Sequence, residues 1–156
     1  MKVTDLSLTL FKWVIPHWRS SGVLAFGGEK QLGVVTIHTD EGVEGHSFLG
    51  SAREGADTFA RQLIDLLKPV VVGRNPLDLG ALWGDMWRLN RFVAPRTVGA
   101  VDVALWDLAG KIAGMPIHRL LGSCKSSMPA YASSVSLPSP EAYVEEALRF
   151  QSQGWT

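Results

Sequence analysis

Near residue 50 the hydrophobic period of this chain changes from two residues to about 3.6, and that single change constrains the fold more than any other feature. From Asp5 to Phe11, polar Asp5, Ser7 and Thr9 alternate with Leu6, Leu8 and Leu10, the pattern of a half-buried strand. A second strand is expected over Gly33–Thr39. It joins a third, Val43–Ser47, through Asp40-Glu41-Gly42, where Gly42 can take the positive φ that a short hairpin loop needs.

The next stretch reads as helix. Ala56, Phe59, Ala60, Leu63, Ile64 and Leu67 form one apolar stripe, Ser51 with Glu54 makes a capping box, and Pro69 is expected to end the run. A second helix is expected from Asn75-Pro76, an N-cap followed by a first-turn proline, with Leu79, Leu82, Trp83 and Met86 on one side. A third is expected over Val98–Ala113, with Val101, Ala104, Leu105, Leu108 and Ile112 buried. There Asp107 pairs with Lys111 and Gly114 acts as the stop. After Leu120-Leu121-Gly122 a short strand is expected over Met128–Ser133, then a helix capped by Ser139-Pro140, running to about Gln153 and closed by Gly154.

The class is therefore α+β: a three-stranded antiparallel meander, a helical bundle, then one β/α step of something else. At 156 residues, 46% of them hydrophobic, the chain is long enough to bury a core. Fifteen basic side chains balance fifteen acidic ones, so no net field draws it to nucleic acid or to an anionic membrane surface. No apolar run approaches the ~20 residues that span a bilayer, and the N-terminus has no leader-like apolar region. The lone Cys124 forbids an internal disulfide and suits a reducing cytoplasm. Gly27-Gly28 lacks the strand, lysine and helix order of a phosphate-binding loop.

The segment Val101-Asp102-Val103-Ala104-Leu105-Trp106-Asp107-Leu108-Ala109-Gly110-Lys111, continued by Gly114-Met115-Pro116-Ile117-His118-Arg119-Leu120-Leu121-Gly122, resembles a helix-plus-turn signature of the mandelate racemase and muconate lactonizing group of the enolase superfamily. The hairpin with Asp40-Glu41-Gly42-Val43-Glu44-Gly45 and the Pro129-Ala130-Tyr131 segment fit the same order. The resemblance implies an enolase-type N-terminal capping domain over residues 1–122, followed over 123–156 by the first strand and helix of a truncated (β/α) barrel. It further implies Mg²⁺-dependent α-proton abstraction from a carboxylate substrate, of the acid-sugar dehydratase, racemase or cycloisomerase type. A whole barrel needs about 250 residues. The metal-binding acids and catalytic bases of the family are expected beyond Thr156, so no catalytic residue and no metal ligand is assigned here.

Substrate-binding residues are expected in three places. Lys12 to Gln31 shows no clear period and reads as a long loop in which His17, Trp18 and Arg19 can meet an anionic, hydroxylated substrate, the specificity loop of the resembled family. Ser47 lies in a second loop of the resembled family that closes on substrate. Ser133 lies on the expected first barrel strand, where alternation points either Ser133 or Ser134 inward. Trp106 and Asp107 read as packing and pairing residues. Trp83, Trp87 and Phe92, with Arg88, Arg91 and Arg96 nearby, suggest a contact between copies in a homo-oligomer. Val144, Ala147 and Leu148 are expected to expose an apolar stripe. The competing reading is an autonomous binding or assembly module without catalysis.

Overall fold

The computed structural model describes residues 1–19, 25–50, 55–134 and 137–155, with the backbone alone for 16–19 and 25–27. β1 (Val3–Arg19), β2 (Ala25–Thr39) and β3 (Glu44–Leu49) form one antiparallel sheet in the order β1-β2-β3. Between β2 and β3 the register runs from Gly33 opposite Leu49 to His38 opposite Glu44. Gly42 makes the connecting turn at φ 78°, a conformation that penalises a side chain.

Most of the expected loop from Lys12 to Gln31 is instead strand, since β1 continues to Arg19 and β2 begins at Ala25. Alternation reports burial of one face, and over Phe11–Val14 the side chains of both faces are exposed. Phe11 and Trp13 are about half exposed and Val14 is 74% exposed. A strand held by its ladder without a buried face leaves no period-two signal.

The first helical region comprises α1 (Asp57–Arg61), a π-helical stretch (Gln62–Leu67) and α2 (Lys68–Val71). Pro69 does not end it. Pro69 lacks an N–H and would crowd the preceding turn of a regular α-helix, and the wider π turn accommodates it, with the Lys68 N–H donating to Leu63 O five residues back. The capping box Ser51–Glu54 lies outside the described residues. The Asp57 N–H donates instead to Gln31 Oε1 at 2.7 Å.

α3 (Leu79–Trp87) starts later than expected, because Asn75 builds a turn first: its Oδ1 accepts the Leu77 N–H and its carbonyl accepts the Asp78 N–H. α4 (Pro95–Ala113) starts earlier, with Pro95 as its first residue, and ends as expected at Gly114, φ 61°. α5 (Ile117–Leu120) is a single turn. The strand expected over Met128–Ser133 is absent: these residues carry no ladder among the described residues, and a strand exists only through a paired neighbour. α6 (Pro140–Ser152) is capped by Ser139, whose Oγ accepts the Ala142 N–H, and it closes at Gly154.

The chain divides into two compact units. The first, Met1–Trp13 with Lys30–Ser123, contains every residue of the hydrophobic core. Leu6, Val35, Ile37 and Leu49 of the sheet pack there with Leu63, Leu82, Val101 and Leu108 of the helices. The second unit joins Val14–Glu29 to Cys124–Thr156. Its helix α6 buries no residue, and Val144 and Leu148 are each 59% exposed. Among the described residues no helix is long and apolar enough to cross a membrane.

Candidate functional site

Backbone contacts around β3 explain the signature helix. At Gly45 a Cβ would stand 2.1 Å from Ala104 O and 2.7 Å from Leu108 Cβ, so only glycine lets β3 lie directly on α4. Asp107 Oδ2 accepts the His46 N–H at 2.8 Å and the Lys111 ammonium at 2.7 Å, while Lys111 Nζ also donates to Glu44 O. Burial alone would push the Asp107 carboxyl upward, but the Lys111 and His46 donors outweigh it and hold the group below its ordinary range. Asp107 and Lys111 therefore clamp the edge strand to the helix.

Ser47 belongs to the same joint. It is buried, and its hydroxyl donates to Ala100 O at 2.6 Å, so its one proton is committed to α4. Its neighbour along β3, Phe48, points to the opposite face and is 71% exposed. The side chains of His17, Trp18 and Arg19 lie outside the described residues, but their backbone forms the end of β1 in the second unit. Ser133, exposed, lies in that unit too. Its neighbour Ser134 donates to Glu146 of α6.

A polar chain that the pattern reading missed crosses the sheet. His38 Nδ1 lies 2.8 Å from Glu44 Oε1, where the ring donates because a carboxylate only accepts, and its Nε2 lies 3.0 Å from Ser7 Oγ. The connectivity is that of a hydroxyl, a base and an orienting acid. It lies on an open sheet face with Glu44 46% exposed, where water competes for each bond, and it serves as a cross-strand ladder. Three residues, one on each of three adjacent strands, become neighbours only through register, so no local motif announces them.

A groove of about 270 Å³ lies between α3 and α4, lined by Leu79, Gly80, Trp83, Asp102 and Trp106. Desolvation pushes the Asp102 carboxyl above its ordinary range. Among the described residues no three His, Cys, Asp or Glu side chains come together to hold a metal ion.

Residues 13–122 match the model of the mandelate racemase/muconate lactonizing enzyme N-terminal domain. A D-mannonate dehydratase from Sphingomonas sp. is 38% identical over 128 residues, covering 76% of this chain and 30% of that protein. A member of the enolase superfamily from Polaromonas sp. superposes with a TM-score of 0.81 at 25% identity, over 99% of this chain and 42% of that one. D-glucarate dehydratase from Agrobacterium tumefaciens, solved with magnesium, gives 0.68 at 29% identity over 85% and 35%. The chain spans about a third of the length of the curated relatives it matches. The chain belongs to the mandelate racemase/muconate lactonizing enzyme group of the enolase superfamily, and residues 13–122 are its N-terminal domain.

Proposed function

We propose that this chain supplies the capping and substrate-selecting portion of an acid-sugar dehydratase or racemase that works by α-proton abstraction. The observation that carries this reading is the grouping of Val14–Glu29 with Cys124–Thr156 in one compact unit. The residues proposed to select the substrate, His17, Trp18 and Arg19, thus share a unit with Ser133, the residue proposed on the barrel side. Ser47, held by α4, acts as a joint rather than as a substrate contact.

A carboxylate substrate is best met by Arg19, whose planar guanidinium offers two parallel N–H donors. His17 and the Ser133 hydroxyl are suited to sugar hydroxyls, and Trp18 to excluding water so that each polar contact strengthens. Relatives named for D-mannonate and D-glucarate dehydration support a small polyhydroxy acid. The magnesium of the superfamily would stabilise negative charge as the α-proton leaves. The described residues contain no ligand set for it, so no step is routed through the metal on this chain. Taken alone, this chain is proposed to be catalytically inactive. The exposed thiol of Cys124 fits a reducing cytoplasm.

Two measurements test the proposal. Incubated with Mg²⁺ in D₂O, the purified chain is expected to leave the α-proton of mandelate and galactarate unexchanged; catalysed deuterium incorporation by this chain would overturn the reading. Transplanting residues 14–29 into the D-mannonate dehydratase relative is expected to change the ratio of kcat/KM between acid sugars by about tenfold or more. An active chimera with the parental ratio would show that residues 14–29 do not select substrate. The alternative, a module without catalysis, draws on the exposed, stacked Trp83 and Trp87 and predicts that parental ratio.

A further inference from the structure

Asp102 is the acid of the signature helix that the fold leaves unanswered. Asp107 takes the Lys111 ammonium and the His46 N–H, and Asp85 of α3 takes Arg74 and Arg88. Asp102 has no hydrogen bond or ion pair among the described residues, and burial alone acts on its carboxyl, pushing it upward. A carboxylate drawn out of water without donors is destabilised, and a cation seated on it offsets that loss.

The surroundings define the cation. Asp102 and Trp106 stand at i and i+4 on α4, beside the stripe of Val101, Ala104, Leu105 and Leu108 that the core takes. Leu79, Gly80 and Trp83 of α3 form the other wall of the groove, about 270 Å³ in volume. A Cβ built on Gly80 would meet nothing within 4 Å, so glycine leaves that wall open. The side chains of the lining offer two indoles and one carboxylate. A magnesium or calcium ion, which takes six or more oxygen ligands, finds too few here. An ammonium holds its water tightly and spreads its donors in three directions. A guanidinium is planar and weakly hydrated, lies flat on an indole, and gives a carboxylate two parallel N–H donors. The volume lies just below the roughly 300–1,000 Å³ of pockets for drug-sized ligands, which limits the occupant to a fragment.

We propose that the groove between α3 and α4 is a binding site for a small guanidinium compound, stacked on the indoles of Trp83 and Trp106 and paired with the Asp102 carboxylate. Substrate is not its occupant. An acid sugar is an anion, which Asp102 repels. The lining residues all belong to the first unit, whereas His17, Trp18, Arg19 and Ser133, proposed to select substrate, belong to the second.

Ligand-observed NMR of the full chain tests the proposal, with ethylguanidinium chloride as the probe at millimolar concentration and constant ionic strength. Saturable binding is expected, about tenfold or more tighter than that of ethylammonium, which has the same charge, or of ethylurea, which has the same shape. Asp102→Asn, close in volume, should weaken binding by about tenfold or more. Gly80→Leu keeps the carboxylate, favours the helix and fills the groove, and it should abolish binding. Asp78→Asn, which removes an acid outside the lining, should leave binding unchanged. Circular dichroism and a thermal melt verify that each variant stays folded, and the comparison of the three ligands needs no variant. Absence of saturable binding would overturn the proposal. So would an Asp102→Asn or Gly80→Leu chain that binds like the wild type, or an Asp78→Asn chain that does not bind. Ethylurea or ethylammonium binding as tightly as ethylguanidinium would equally refute it, because the site would then read shape or charge alone.

Discussion

Asp107 illustrates how a signature residue can be structural. It receives donors from β3 and from its own helix, and its folded-state carboxyl is held below the ordinary value of about 3.9. A depressed carboxyl contributes stability at neutral pH, and that contribution disappears as pH falls through the folded-state value, because the unfolded chain takes up the proton first. Asp107→Asn keeps an oxygen for the His46 N–H and loses the Lys111 pair, which is partly exposed. It should lower stability by about 1 kcal/mol at pH 7. Urea unfolding at pH 7 and again near pH 3 checks this: the gap between variant and wild type should close in acid, and a gap independent of pH would show that charge is not what Asp107 contributes. The pairing of Asp107 with Lys111 was legible from i,i+4 spacing. That both residues also bind β3 was not, because His46 and Glu44 lie more than sixty positions away in the chain. Ser47, expected in a loop, lies within β3, and its hydroxyl meets a helix carbonyl fifty-three positions away, a contact that no local spacing announces.

Among the elements, β3 and α4 are legible because each buries one face, whereas α6, which buries nothing, is legible from its cap at Ser139-Pro140 and its stop at Gly154. β3 alternates strictly between exposed and buried, and α4 buries nine residues along its stripe; both were found within a few residues of their ends. In β1, Phe11 to Val14 are exposed on both faces, and a stretch without a period-two signal reads as loop. Pro69 reads as a stop by every local rule, and only a change of helical pitch allows the chain to pass it. The contact between β3 and α4 is the tightest of these joints, and Gly45 is its test. Gly45→Ala must move Ala104 or Leu108, with backbone at 2.1 Å from the new methyl. Overpacking of this kind costs about 1–3 kcal/mol, so chemical denaturation should show a lower midpoint with an unchanged slope. A variant as stable as wild type would mean that α4 can slide on the sheet more freely than the packing implies.

At the scale of the whole molecule, the two units differ in what holds them. Among the described residues the core lies in the first, whereas the second contains a thirteen-residue helix with no buried side chain and the irregular segment that precedes it. An isolated helix of that length is marginal in water, since nucleation is unfavourable and most helical stability comes from packing an apolar face. Stability should therefore be uneven along the chain, with openings of α6 needing far less free energy than those of α4. Hydrogen exchange followed by mass spectrometry separates the two. Amides of Val101–Leu108 should exchange only through global unfolding and slow further as denaturant is withdrawn, while those of Val144–Phe150 should exchange within seconds to minutes regardless. Proteolysis should cut first between Ser123 and Ser134, which is exposed and without ladder bonds, releasing α6 while the cap stays intact. Equal protection of α6 and α4 would mean that the second unit has a core of its own. It would also remove the reason for treating residues 123–156 as a segment whose apolar stripe, Val144 and Leu148, is built to be covered by another surface.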